Sequence, residues 1–320
     1  MTRISQTFKL ACALGAALVA ISSRAADVPQ TEPPEGAYTQ GGAKTCVKCH
    51  DEPSVRPIMQ SPHAVRGDAR TPFAQHDCES CHGPSEAHSL GHGRNRPPPD
   101  VVFVGANASP VAKRNEVCLT CHESGLRMNW KGSPHDSNDI ACTNCHSPHQ
   151  PKDPVLLRSN QAQVCFNCHK QQRAESFLYS HHPVREGLVA CGDCHNPHGS
   201  PGPKQVREFS VNETCYNCHT EKRGPLLWEH QPVREDCTNC HTPHGSTEAR
   251  LMKERMNFMC SSCHSSVANS SGGAFGGHGA IPGMQGSIPL AAELANQRTC
   301  LNCHSQIHGS NSPNGAYFFR

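Results

Sequence analysis

Leu10–Ile21 is an apolar run of twelve residues, preceded by Arg3 and Lys9 and followed by Ser23-Arg24-Ala25. Twelve residues are too few to cross a bilayer, which takes about 20. A positive start, a short apolar run and small residues at the two positions a signal peptidase reads make a secretory leader. Residues 1–25 are therefore expected to be removed and the chain exported, with Ala26 as the new start. Beyond that point no apolar stretch reaches 18 residues, so the remainder is not expected to cross a membrane by itself. It predicts short helices around recurring cysteine motifs, long loops and little or no β-sheet. The Pro-rich stretch Asn95–Asp100 and the Gly/Ser-rich stretch Ser270–Gly286 read as connectors.

Composition sharpens that picture. Only 35% of residues are hydrophobic and 5% aromatic, and 26 Gly with 26 Pro make up about 16% of 320 residues. A chain of this kind leans toward disorder unless something other than its own side chains supplies apolar surface. Losing residues 1–25 removes Arg3, Lys9 and Arg24 and no acid, taking the balance from 29 basic against 27 acidic to 26 against 27. No basic patch of the nucleic-acid-binding kind is present.

The missing apolar surface is written in the cysteines. Twenty of the 21 fall in ten copies of Cys-x-x-Cys-His. In order these are Cys46/Cys49/His50, Cys78/Cys81/His82, Cys118/Cys121/His122, Cys142/Cys145/His146 and Cys165/Cys168/His169. They continue with Cys191/Cys194/His195, Cys215/Cys218/His219, Cys237/Cys240/His241, Cys260/Cys263/His264 and Cys300/Cys303/His304. The remaining one, Cys12, lies in the leader; Lys9 and the apolar run that follows it argue against a lipoprotein site there. Cys-x-x-Cys-His is the attachment signature of haem c. The two thiols add to the porphyrin vinyl groups, and the histidine supplies the first axial nitrogen to iron. Structural zinc uses Cys-x-x-Cys pairs but has no reason to place His after every one. Nor does a disulfide framework, although an exported chain would meet an oxidising compartment. With only 23 histidines in 320 residues, ten out of ten is far beyond chance. The expected cofactors are ten haem c groups, whose propionates would make the assembled protein acidic. The chain is expected to be a multihaem cytochrome c: mostly short α-helices and coil wrapped around ten covalent haems, elongated, and dependent on haem to fold. Residues 26–45 form an N-terminal extension, 46–310 the decahaem domain and 311–320 a tail.

An iron with one histidine is open to substrate; an iron with two is closed and suited to electron transfer. Thirteen histidines lie outside the motifs. Taken in motif pairs, they repeat: motif, histidine, motif, histidine. The series gives His63 and His88, His135 and His149, His181 or His182 and His198, His230 and His244, His278 and His308 as second axial ligands, which makes every haem bis-histidine. Aligning HHPVRE with HQPVRE favours His181; the thirteen-residue interval that separates His63 and His135 from their preceding motif histidines favours His182. The alignment carries slightly more weight. His76 and His92 read as ordinary surface or structural residues. Met59, Met128 and Met284 are conceivable ligands that ten histidines make unnecessary. The proline of CHxPHG cannot continue a helix, so the chain turns after the first ligand and the next histidine can reach a neighbouring haem.

Ten motifs, a Sec-type leader, CHGPSEAH after the second motif and recurring H-x-PV…CxxCHxPHG resemble the MtrA/DmsE-like periplasmic decahaem cytochromes, the family of MtrA, MtoA and PioA. The resemblance covers about residues 40–310. It implies an electron carrier, not an enzyme, inserted into an outer-membrane β-barrel porin and moving electrons between periplasm and cell exterior, as in metal reduction or Fe(II) oxidation. It further implies periplasmic or inner-membrane cytochromes as redox partners, an extracellular cytochrome or iron at the far end, and two pentahaem halves, about 46–180 and 181–310. Two other functions fit the residues: a soluble periplasmic shuttle or storage cytochrome, and an oxidoreductase with one open haem. No CxxCK motif is present to support the latter.

Overall fold

The chain divides into Met1–Glu35 and Gly36–Arg320. The computed structural model describes residues 36–264, 300–302, 304–313, 315 and 318. The leader with Cys12, the connector Ser270–Gly286 with Met284, and Cys303 and His278 lie outside the described residues.

Helix and coil make up the described chain, with no strand or sheet; pairing is limited to isolated bridges such as His195 with Val206 and His241 with Met252. Helices are short because the sequence supplies Gly, Pro and a new motif every few turns. The longest, Val111–Leu119 and Arg158–Phe166, have nine residues each. They alternate with single turns in step with the motifs. The third, fifth and seventh motifs begin in the helices Val111–Leu119, Arg158–Phe166 and Val211–Tyr216. The fourth, sixth and eighth begin in the turns Cys142–Asn144, Cys191–Cys194 and Cys237–Asn239.

A side-chain amide joins each such pair. Asn115 donates through Nδ2 to the Ile140 carbonyl (3.0 Å) and accepts the Cys142 N–H (2.8 Å). Asn212 repeats this with the Val233 carbonyl (2.9 Å) and the Cys237 N–H (2.7 Å). Gln161 bridges the Val155 carbonyl (3.0 Å) and the Gly192 N–H (2.7 Å). Asn115 and Asn212 are buried, so deleting either amide would leave at least two backbone groups unpaired, at about 1–3 kcal/mol for each. At the N-terminal end carboxylates take over: Asp77 accepts the Ala43 N–H (2.9 Å), and buried Glu79 accepts from Thr39 and Ser85. The clamps thus recur every two motifs.

No ordinary apolar core accompanies these clamps. The buried apolar residues are few and scattered, from Ala43, Ala141, Ala162 and Ala190 to Phe73, Trp130 and Phe166. Many large ones remain on the outside of the peptide: Tyr179 and Phe209 are each 81% exposed and Val104 78%. Among the described residues, no helix is long and apolar enough to cross a membrane.

Candidate haem-binding sites

Each motif is one closed turn. In all ten, the histidine N–H donates to the carbonyl of the first cysteine at 2.9–3.1 Å. That i to i+4 closure sets both cysteines and the histidine on one side of the turn, the arrangement needed for two thioethers and an axial nitrogen. Among the described residues no cysteine is joined in a disulfide.

The histidines meet in pairs. Ring centres lie 6.2 Å apart in His50–His88, 6.1 Å in His63–His122, 6.4 Å in His82–His149, 6.1 Å in His135–His169 and 6.0 Å in His146–His198. The series continues with 6.4 Å in His182–His219, 6.0 Å in His195–His244, 6.2 Å in His230–His264 and 6.2 Å in His241–His308. Two metal–nitrogen bonds of about 2.0 Å, plus about 1.1 Å from each nitrogen to its ring centre, span about 6.2 Å. The nine pairs therefore fit an iron between the two imidazoles. Every pair joins one motif histidine to one histidine outside the motifs. The tenth motif histidine, His304, is described, whereas His278 is not.

Hydrogen bonds turn the rings to suit that use. Nδ1 of His82, His195 and His241 contacts the carbonyls of Val101, Lys204 and Arg250 at 3.1, 3.1 and 2.9 Å. Nδ1 of His88, His135, His149 and His182 contacts the carbonyls of Pro97, Pro197, Ser54 and Pro243 at 2.7–3.3 Å. A ring that donates through Nδ1 keeps its lone pair on Nε2, the nitrogen left for a metal. The Ile307 carbonyl stands beside His230 without closing to hydrogen-bond geometry. Burial pushes His198 and His308 down to about 4, and it lowers His82, His122, His195, His230 and His244 as well. Desolvation disfavours the charged ring, so these imidazoles are neutral near pH 7 and able to ligate.

The pairing crosses motifs in a regular order. His63, His135, His182 and His230 follow the first, third, fifth and seventh motifs and meet the third, fifth, seventh and ninth motif histidines. His149, His198, His244 and His308 follow the fourth, sixth, eighth and tenth and meet the second, fourth, sixth and eighth. Odd motifs reach forward by two and even motifs reach back by two. At the N-terminal end His88 turns back onto the first motif.

The CHxPHG glycine permits the backward reach. Gly199 has φ +95°, and a Cβ there would collide with the Asn129 carbonyl; one at Gly245 would strike the Glu175 carbonyl. The backbone beside His198 and His244 thus lies against the preceding unit. Asn196 fastens the first of these, donating to the Leu126 carbonyl (2.7 Å) and the Gly199 carbonyl (2.6 Å).

His182, not His181, meets His219. His182 keeps the thirteen-residue interval that His63 and His135 keep from their preceding motif histidines. After the seventh motif the interval is eleven, which is why HQPVRE misleads. His181 contacts the Leu178 carbonyl (2.8 Å) and lies 3.5 Å from Glu186. His76 stacks on Tyr38 at 3.9 Å. His92 precedes the turn Gly93–Asn95, and Met59 and Met128 are exposed.

Cysteine contacts run from each motif to the next. The first cysteines are within hydrogen-bond reach in Cys46–Cys78, Cys118–Cys142, Cys165–Cys191, Cys215–Cys237 and Cys260–Cys300. The second cysteines are electrostatic neighbours in Cys81–Cys121, Cys145–Cys168, Cys194–Cys218 and Cys240–Cys263. Alternating between the two, neighbouring cysteines follow one another from the first motif to the tenth. Cys49, the second cysteine of the first motif, is exposed like most second cysteines and lies outside these pairs. The reason is its place in the chain: second cysteines of odd motifs face the motif before them, and the first motif has none. The Cys49 N–H still donates to the Cys46 carbonyl (3.1 Å), so its turn is built like the others.

Comparison with known proteins agrees with this repeat. Residues 133–174, 181–224 and 230–269 match the family model described as a doubled CXXCH motif. The chain is 41% identical over 282 residues to the multiheme cytochrome MtrA of Shewanella baltica, covering 88% of this chain and 82% of that protein. It is 28% identical over 107 residues to the cytochrome c-type protein NrfB of Haemophilus influenzae, covering 30% of this chain and 45% of the relative.

Proposed function

The chain belongs to the MtrA-like multihaem c-type cytochromes, and from that membership we propose that it carries ten bis-histidine haems and conducts electrons between the periplasm and the cell exterior through an outer-membrane porin. When bound, the haems supply reversible one-electron iron chemistry. The chain's own residues hold and close them. Twenty cysteines, from Cys46 and Cys49 to Cys300 and Cys303, make the thioethers. The motif histidines give the first ligand, and the crossing histidines give the second. The observation that carries this reading is the set of nine imidazole pairs at iron-spanning separation, strung along one continuous series of motifs. By the mirror of His88 on the first motif, His278 closes the iron of His304.

With both axial positions taken by imidazole, no iron is left for a substrate, which favours a carrier over an oxidoreductase. The sheath follows from polarity. A polar, haem-rich chain is unsuited to face lipid, whereas the lumen of a large outer-membrane barrel is polar and can hold a plug. Partners at the two ends are redox proteins of the periplasm or inner membrane, and an extracellular cytochrome or iron. Copurification with a barrel in detergent separates this reading from a freely diffusing shuttle.

The ring angles give a spectroscopic test of the ligation. The planes are within 13–23° of parallel in His50–His88, His146–His198, His195–His244, His230–His264 and His241–His308. They are crossed at 85° and 90° in His63–His122 and His135–His169. Parallel imidazoles act on the same iron d orbital and split it from its partner; crossed ones leave the two nearly degenerate. Low-temperature EPR of the oxidised protein is expected to show a dominant rhombic low-spin class, a minor large-g class, and intermediate signals from the 44° and 53° pairs. A high-spin ferric signal of one haem or more would contradict closed ligation.

A further inference from the structure

At equivalent places in the fourth, sixth and eighth motifs, the first axial histidine receives different second partners. In the sixth and eighth, the residue nine positions on turns its backbone carbonyl onto Nδ1, from Lys204 to His195 and from Arg250 to His241. Both do so from the left-handed region, at φ 52° and 61°. After the fourth motif the chain takes another path. Asp153, seven positions after His146, places Oδ2 2.6 Å from His146 Nδ1. Its Oδ1 accepts the Ser147 N–H (3.2 Å) and the Val155 N–H (3.3 Å), which caps the turn Pro154–Leu156. The carboxylate is therefore held by two amides and aimed by them, and its side chain is only 14% exposed.

We infer that Asp153 is a positioning residue that makes the haem of the fourth motif harder to reduce than its equivalents in the sixth and eighth. The inference rests on His146 and His198 being the axial pair. A carboxylate accepts the Nδ1 proton more strongly than a carbonyl does and pushes electron density into the ring. The ring then becomes a stronger donor and favours ferric iron. Partners of this kind are worth about 10–100-fold in metal affinity. Glu175 approaches His244 only to 3.5 Å, and the other Nδ1 contacts described above go to carbonyls or, for His198, to the neighbouring Asn196 amide (3.3 Å).

The test is an EPR-monitored redox titration of the fully loaded protein, wild type against Asp153→Asn. Asparagine keeps an oxygen for the Ser147 and Val155 amides and loses the charge. One component of the near-parallel class is expected to become about tenfold easier to reduce, a rise of about 59 mV for one electron, while ten low-spin haems remain. Asp153→Glu, which restores a carboxylate, is expected to titrate close to wild type. Superimposable titrations would overturn the assignment, as would a shift spread over several components. So would haem loss in Asp153→Asn that Asp153→Glu shares, since that marks a structural role alone. A high-spin haem in the wild type would instead overturn the axial pairing on which the inference rests.

Discussion

Replacing His149 with alanine is expected to open the iron held by His82, two motifs back, and to leave the neighbouring iron of His146 closed. His149 lies three residues after His146 in sequence, yet its ring sits 6.4 Å from His82, and His146 is opposed by His198 instead. About one haem in ten should turn high-spin and, once reduced, bind CO. The two irons can be told apart by the class of signal that disappears. The His82–His149 planes are tilted by 44° and the His146–His198 planes by 13°, so an intermediate EPR component should vanish and the rhombic ones persist. Loss of a rhombic component would mean that His149 serves its own motif, and an unchanged spectrum would mean that His149 ligates nothing.

The second large effect is on folding. A chain produced without haem attachment, or with alanine at the motif cysteines, is expected to be unfolded by far-UV circular dichroism and to be digested rapidly, whereas the loaded protein resists. Ordering a backbone costs about 1–2 kcal/mol per residue. Apolar burial at about 25 cal/mol per Å² is the usual offset, but here Phe177, Tyr179 and Phe209 stay largely exposed on the peptide. Side-chain clamps such as Asn115 and Asn212 orient the motif turns, and their net contribution is about 1 kcal/mol per hydrogen bond. Cofactor contact and axial ligation must supply the remainder, as metal binding does in small metal-dependent domains. Cooperative melting of the haem-free chain with native-like circular dichroism would contradict this.

What could be read from residue order and what could not divide along a physical line. The motif turns are local: cysteine, cysteine and histidine within five residues suffice, and the closed turns of the structure follow from them. The absence of sheet was also legible, from Gly, Pro and the closely spaced motifs. The histidines that oppose the motifs stand at repeated intervals, so their positions were visible as a set. Which motif each one meets was not, because reaching forward or back by two motifs is a relation between folded units. The same blindness explains the contest between His181 and His182, of which the fold brings His182 to His219. Asn115 and Asn212 carry little signal: NEVC and NETC place an asparagine three residues before the third and seventh motifs, but the pattern is short and gains its role only in the folded clamp. Asp153 left no usable trace, since its counterparts in the sixth and eighth motifs act through backbone carbonyls of unrelated side chains.

In the proposed function this single chain, sheathed by a porin, carries electrons across a membrane. The direct measurement uses liposomes holding an internal redox dye, reconstituted with the fully loaded cytochrome and a candidate barrel, with ferrous or ferric iron outside. Electrons are expected to cross only when both proteins are present, and His149→Ala liposomes can be run alongside. Dye that stays unchanged with both proteins inserted and all haems low-spin would contradict the conduit and leave a periplasmic shuttle as the better description.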